Sequence, residues 1–163
     1  KELGILIHQE IVWVKPCVIL TFSFYSWRHE PCLLMWVKGH KPDYKPKNKS
    51  IGSVWTVGFL RSGDPTTPEY HTDVWELDWE GKKRNSGLDH PTVKPTEVFA
   101  IPMRVHTTPG DICYEPFSGS GSQIIAGERL NRRVFAMELE PVFCDVAVRR
   151  WEEFTGKKAI LNG

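Results

Sequence analysis

A chain of 163 residues, 40% of them hydrophobic and 25% charged, suits one globular domain with a single core and is short for two. Its formal net charge of +1 carries no overall attraction to nucleic acid. No apolar run approaches the roughly 18 residues needed to span a bilayer, so no membrane partner is expected.

The start, Lys1-Glu2-Leu3-Gly4, has neither a signal peptide nor an initiating methionine, and is read as that of a fragment of a cytoplasmic protein. The cysteines, Cys17, Cys32, Cys113 and Cys144, form no C-x-x-C pair, and the histidines form no H-E-x-x-H pattern. Reduced thiols and no metal site are therefore expected.

Gln9 to Lys15 is β-branched and apolar and stops at Pro16, which predicts a buried strand. Cys32 to Val37 is a second short apolar run, Ser53 to Val57 a third and Val74 to Leu77 a fourth. Between the second and fourth, the composition changes. Lys38 to Ser50 holds five lysines, one acid and two prolines, and Arg61 to Asp73 adds two more prolines and several turn formers. Both stretches read as loops. Lys38, Lys41, Lys45, Lys47 and Lys49, interleaved with prolines, form either a solvated loop or a track along DNA phosphates. Trp79, beside Glu80-Gly81-Lys82-Lys83-Arg84, is the tryptophan best placed for exposure and base stacking.

The last 75 residues are more regular. Pro95 to His106 predicts a helix, with Val98, Ile101 and Val105 at helical spacing and Pro102 expected to kink or shorten it. Pro109-Gly110-Asp111 is a turn and Ile112 to Tyr114 a short strand. A glycine-rich turn leads into a helix from about Ser122 to Leu130. Val134 to Glu138 is another strand. Pro141 opens a final helix with Phe143, Ala147, Trp151 and Phe154 on one face, stopping at Thr155-Gly156. Strand, glycine turn, helix, strand, helix is a βαβ pattern.

The sharpest chemical signal is Glu115-Pro116-Phe117-Ser118-Gly119-Ser120-Gly121-Ser122, between a strand and a helix. Glycines there permit a tight turn and close approach of backbone to a ligand. Ile124 stands at the third position of the dinucleotide fingerprint, and no G-K-[ST] follows. A nucleoside without a pyrophosphate is therefore the expected ligand. Glu138 lies 19 residues after Gly119, where a carboxylate is placed to accept hydrogen bonds from ribose hydroxyls. Glu140 competes for that role, but precedes Pro141 and suits a helix start.

Here a resemblance becomes specific. E-P-F-S-G-S-G-S is similar to the D-P-F-x-G-S-G-T cofactor motif of DNA adenine-N6 and cytosine-N4 methyltransferases. His90-Pro91-Thr92-Val93-Lys94-Pro95 resembles their H-P-T-x-K-P motif, which lies upstream in the group that places catalysis first. Asp73 to Glu76, Ile11 to Lys15 and His29-Glu30-Pro31 resemble further family segments. The tail from Val148 to Lys157 resembles phage-type members. Glu115 replaces the usual aspartate. The family's [DNS]-P-P-[YFW] catalytic motif does not occur, and Asp64-Pro65-Thr66-Thr67-Pro68 does not match it.

The resemblance implies an α/β, doubly wound, Rossmann-like methyltransferase fold, incomplete at the N-terminus. Residues 1–163 form one partial domain, with 38–73 a variable DNA-contacting or target-recognition segment and 90–163 the cofactor-binding part. It implies S-adenosyl-L-methionine as cofactor. Thr92, Lys94, Glu115, Phe117, Ser118, Gly119, Gly121, Ser122 and Glu138 are the cofactor-binding residues, with Thr92 and Lys94 toward the methionine carboxylate. His90 is a ligand contact or a turn cap, and Phe117 a cofactor wall or core. The implied activity is transfer of a methyl group to an exocyclic amine of a flipped base in DNA, as in restriction–modification. The missing motif is expected upstream, which makes this chain inactive alone and gives it a missing N-terminal half, or a second copy, as partner. The alternative is a catalytically silent nucleic-acid-binding or partner subunit that keeps the fold.

Overall fold

In the computed structural model the described residues are 4–19, 27–44, 74–77 and 93–161. The expected strand at 53–57, the loop at 61–73, Trp79, His90, Thr92, Lys45, Lys47 and Lys49 lie outside them.

Strand β1 (Ile5–Ile19) pairs antiparallel with β2 (Trp27–Val37) and parallel with β3 (Val74–Glu76), in the order β2-β1-β3. β1 is longer than its expected span and runs through Pro16. It can do so because the β1–β2 register is broken between Val14 and Ile19, while β3 pairs only with Val12 to Val14. A residue without an N–H costs least where the ladder is already interrupted. Side chains alternate along β1, so Ile11, Trp13 and Lys15 share one face, opposite Cys32 and Glu30 of β2. Trp13 is 2% exposed and Lys15 4%.

Helix α1 (Thr96–His106) joins this sheet to the rest of the chain. Ile101 and Val105, four apart and hence on one face, pack with Ile11 and Leu77. Ala100 and Met103 pack with Ala126, Cys113 and Val134. Pro102 does not shorten the helix, which continues to His106.

The second sheet is β4 (Ile112–Glu115) paired in parallel with β5 (Arg133–Ala136), connected by α2 (Ser122–Arg129). Gly127 permits close helix–strand packing, since a Cβ there would lie 2.2 Å from Val134 Cγ2. β5 ends two residues earlier than expected, so Glu138 lies in the loop beyond it. Helix α3 (Pro141–Thr155) begins on proline and stops at Gly156 with φ +70°, as its residues require. Its buried positions are Val146 and Ala147, whereas Phe154, expected on the inner face, is 49% exposed. Within the described residues the two sheets are separate hydrogen-bonded units, bridged by α1 rather than continuous.

Candidate functional site

The glycine turn is tied to the loop after β5. Met137 N–H donates to the Glu115 carbonyl at 2.8 Å, and Ser118 N–H donates to the Met137 carbonyl at 2.9 Å. Gly119 and Gly121 take φ of +53° and +76°, conformations that L side chains rarely adopt. At Gly121 space is also limiting, because a Cβ would lie 2.7 Å from Ala147 Cβ on α3. Gly121 N–H returns to the Ser118 carbonyl at 3.0 Å. Gln123 Nε2, at the buried start of α2, donates to Ser118 Oγ at 2.8 Å.

Glu138 meets this turn directly. Its Oε2 accepts from Gly119 N–H at 2.5 Å, and its Oε1 from Leu139 and Glu140 N–H at 2.9 and 3.0 Å. Three backbone N–H donors on its two oxygens fix the carboxylate against the glycine turn. Glu140 is the N-cap of α3 but makes no side-chain capping bond. Glu115 turns inward on its own loop, accepting from Phe117 N–H at 2.9 Å.

Lys94 sits between the two sheets. Its Nζ donates to Glu30 Oε2 at 2.7 Å and lies 5.5 Å from the centre of the Trp13 ring. Lys15 reaches the other Glu30 oxygen at 2.9 Å. Burial disfavours the Glu30 anion, but the hydrogen bonds and charges of Lys94 and Lys15 outweigh it and hold its carboxyl below the ordinary range. The backbone carbonyl of Lys94 accepts from Ser122 Oγ at 2.7 Å. Arg150 of α3 closes the cluster, its Nη1 reaching the Ser120 carbonyl at 2.6 Å and Ser122 Oγ at 3.2 Å.

The structure therefore brings together Lys94, Ser118, Gly119, Gly121, Ser122 and Glu138. Phe117 points away from the core at 86% exposed, which removes its core reading. A residue flanked by the outward-facing end of β4 and a tight turn has nothing to pack against. Lys38 and Lys41 are exposed, Lys41 Nζ lying 5.9 Å from the centre of the Trp36 ring. A cavity of about 530 Å³ opens beside Ser118, Met137 and Glu138, walled by Ala147 and Trp151 of α3 and by Ile160 of the tail. That volume falls in the range of about 300–1,000 Å³ usual for small-ligand sites. Among the described residues no cluster of three or more His, Cys, Asp or Glu could hold a metal ion, and no helix is long and apolar enough to cross a membrane.

Lys15, Glu30 and Arg150 are the residues that sequence reasoning did not assign. Lys15 and Arg150 carry a signal in the sequence. Lys15 falls on the inward face of a strand, two after Trp13, and Arg150 falls on the buried stripe of α3, three after Ala147. A charge on an apolar face requires a partner.

A strand, a turn of left-handed glycines, a helix and a parallel strand followed by an acid bonded to that turn define a nucleotide-cofactor domain of Rossmann-like kind. The N6/N4 family model described as DNA methylase matches residues 1–149, and the chain belongs to that family. It is 27% identical over 157 residues to the type II methyltransferase M2.MboI of Moraxella bovis, covering 95% of this chain and 53% of that protein. It is 28% identical over 158 residues to M.BglII of Bacillus subtilis, covering 90% of this chain and 42% of that protein. The chain thus spans about half the length of these curated relatives. The crystal structure of the M1.HpyAVI–SAM complex superposes with a TM-score of 0.62 at 22% identity, covering 91% of this chain and 63% of that one. This similarity establishes the α/β, Rossmann-like methyltransferase fold.

Proposed function

We propose that this chain is the cofactor-binding part of an S-adenosylmethionine-dependent DNA methyltransferase acting on adenine N6 or cytosine N4. The observation that carries the reading is the Glu138 carboxylate bonded to Gly119 N–H at 2.5 Å. A carboxylate bonded to the turn that would receive the nucleoside supports a role in accepting from the ribose. The cavity beside Ser118 and Glu138 and the match to DNA methylases support the same ligand. The cofactor would supply the methyl group. Gly119, Gly121 and Ser118 would form the floor, Glu138 would accept from the ribose, and Thr92 and Lys94 would face the methionine carboxylate, with Glu115 and Phe117 at the rim.

DNA is the proposed substrate, with Lys38, Lys41, Lys45, Lys47 and Lys49 contacting phosphate. The chain would act in the cytoplasm, within a restriction–modification system. A [DNS]-P-P-[YFW] motif does not occur in the 163 residues. In this reading the clamp on the amine comes from a further polypeptide segment. The same observation favours a second reading, in which the chain is a silent subunit that binds cofactor or nucleic acid without chemistry.

Titration calorimetry of the chain with S-adenosylhomocysteine tests the cofactor assignment. A hydrogen bond to a charged group contributes about 1.5–3 kcal/mol, so Glu138→Ala is expected to bind roughly tenfold to a hundredfold more weakly. Equal affinity of wild type and variant would overturn the ribose role, and no binding by either would overturn the cofactor role.

A further inference from the structure

We propose that Arg150 is a positioning residue for the cofactor turn, an assignment that rests on the reading above. Its Nη1 reaches the Ser120 carbonyl at 2.6 Å, Ser120 Oγ at 3.0 Å and Ser122 Oγ at 3.2 Å. Ser120 and Ser122 are 5% and 2% exposed, so water does not compete freely for these oxygens. The turn needs such a donor. Among the described residues no backbone N–H is bonded to the Ser120 carbonyl, and the Arg150 guanidinium is its donor.

The contact extends beyond the turn. Ser122 Oγ, held by Arg150, donates to the Lys94 carbonyl at 2.7 Å. Lys94 is the residue whose ammonium is held by Glu30 of β2. One guanidinium on α3 thereby sets both the glycine turn and the segment that carries Lys94, the two sides of the proposed cofactor site. A cofactor that binds a preset turn does not have to order it, and the ordering cost would otherwise subtract from affinity. Lysine in place of Arg150 keeps the charge on a shorter side chain that ends in a freely rotating ammonium, so it would hold only part of this set.

The test uses the full chain and reads two quantities. Amide hydrogen exchange of residues 118–123 reports the order of the turn, and calorimetry with S-adenosylhomocysteine reports affinity. Arg150→Ala is expected to speed exchange in the turn while β1, β2 and α1 keep their wild-type protection. Its cofactor affinity is expected to fall about tenfold, the cost of ordering about one residue of the turn on binding. Arg150→Lys recovers part of both, and Arg149→Ala, at an exposed neighbour, changes neither. Unchanged exchange in the turn, or exchange raised evenly over the whole chain, overturns the positioning role. Absence of cofactor binding by wild type, with turn exchange still responding to Arg150→Ala, overturns the cofactor reading and upholds Arg150 as the group that orders the turn. Should Arg150→Ala fail to fold, Arg150→Lys carries the same comparison.

Discussion

Lys94 and Glu30 meet at 2.7 Å across 64 positions of sequence. Lys15 occupies the second Glu30 oxygen at 2.9 Å, and its side chain is only 5% exposed. The carboxylate therefore neutralises a buried ammonium of β1 while holding the ammonium of the segment that precedes α1. This cluster ties the antiparallel β1–β2 pair to the start of α2, because the Lys94 carbonyl also accepts from Ser122.

Glu30 makes folding sensitive to acid. Its carboxyl titrates below the ordinary range in the folded chain, because the two lysines outweigh burial. The unfolded chain therefore binds more protons between the two pKa values, and stability falls as pH drops through that window. The contribution is fully present above the ordinary carboxylate range and gone below the folded value. Urea denaturation of Glu30→Gln at pH 7 should show a loss on the order of 2 kcal/mol, since Lys15 loses its counter-ion. The difference from wild type should shrink as pH is lowered below about 4.5. A gap that stays constant down to pH 3 would contradict this assignment.

Gly127 is where α2 touches β5. A Cβ there would lie 2.2 Å from Val134 Cγ2, on a β-branched side chain with little rotamer freedom. Alanine gains at most about 1 kcal/mol of helix propensity, which a clash costing about 1–3 kcal/mol exceeds. Gly127→Ala should therefore destabilise the chain. Combining it with Val134→Ala should cost less than the sum of the single variants by roughly 1 kcal/mol, as contacting positions do. Strict additivity in denaturant midpoints would mean that this contact does not limit packing.

The cysteines should differ in reactivity. Cys144 is exposed, while burial pushes the Cys32 and Cys113 thiols up. The thiolate is the reacting form, so iodoacetamide near neutral pH should label Cys144 well before Cys32 and Cys113. Peptide mass spectrometry over a time course reads the order. Under denaturing, non-reducing conditions all four thiols should be free, Cys17 included.

The chain alone should transfer no methyl group to DNA. An exocyclic amine has its lone pair delocalised into the ring, and orientation by a clamp can lower the barrier by several kcal/mol. The motif that would provide it does not occur in these residues. Incorporation of labelled methyl into mixed-sequence DNA measures this, with and without a segment carrying [DNS]-P-P-[YFW] supplied in trans. Robust transfer by the chain alone would show that another residue replaces the motif.

Much of the local architecture is legible in the sequence. Gly119, Gly121 and Gly156 mark positive-φ positions, Pro141 opens α3, and Glu138 follows β5 and meets the glycine turn. Each of these is a requirement of a few adjacent residues, so neighbours in sequence suffice to reveal it. The family resemblance, read from the same motifs, agrees with the family match over residues 1–149. Tertiary structure decided what depends on distant partners. It gave Lys94 to Glu30, set Arg150 against the turn, left Phe117 and Phe154 in solvent and divided the described strands between two sheets. The physical reason is that a charge or an aromatic ring takes its role from whatever the fold places within about 4 Å of it, and that neighbour is set by packing rather than by spacing along the chain.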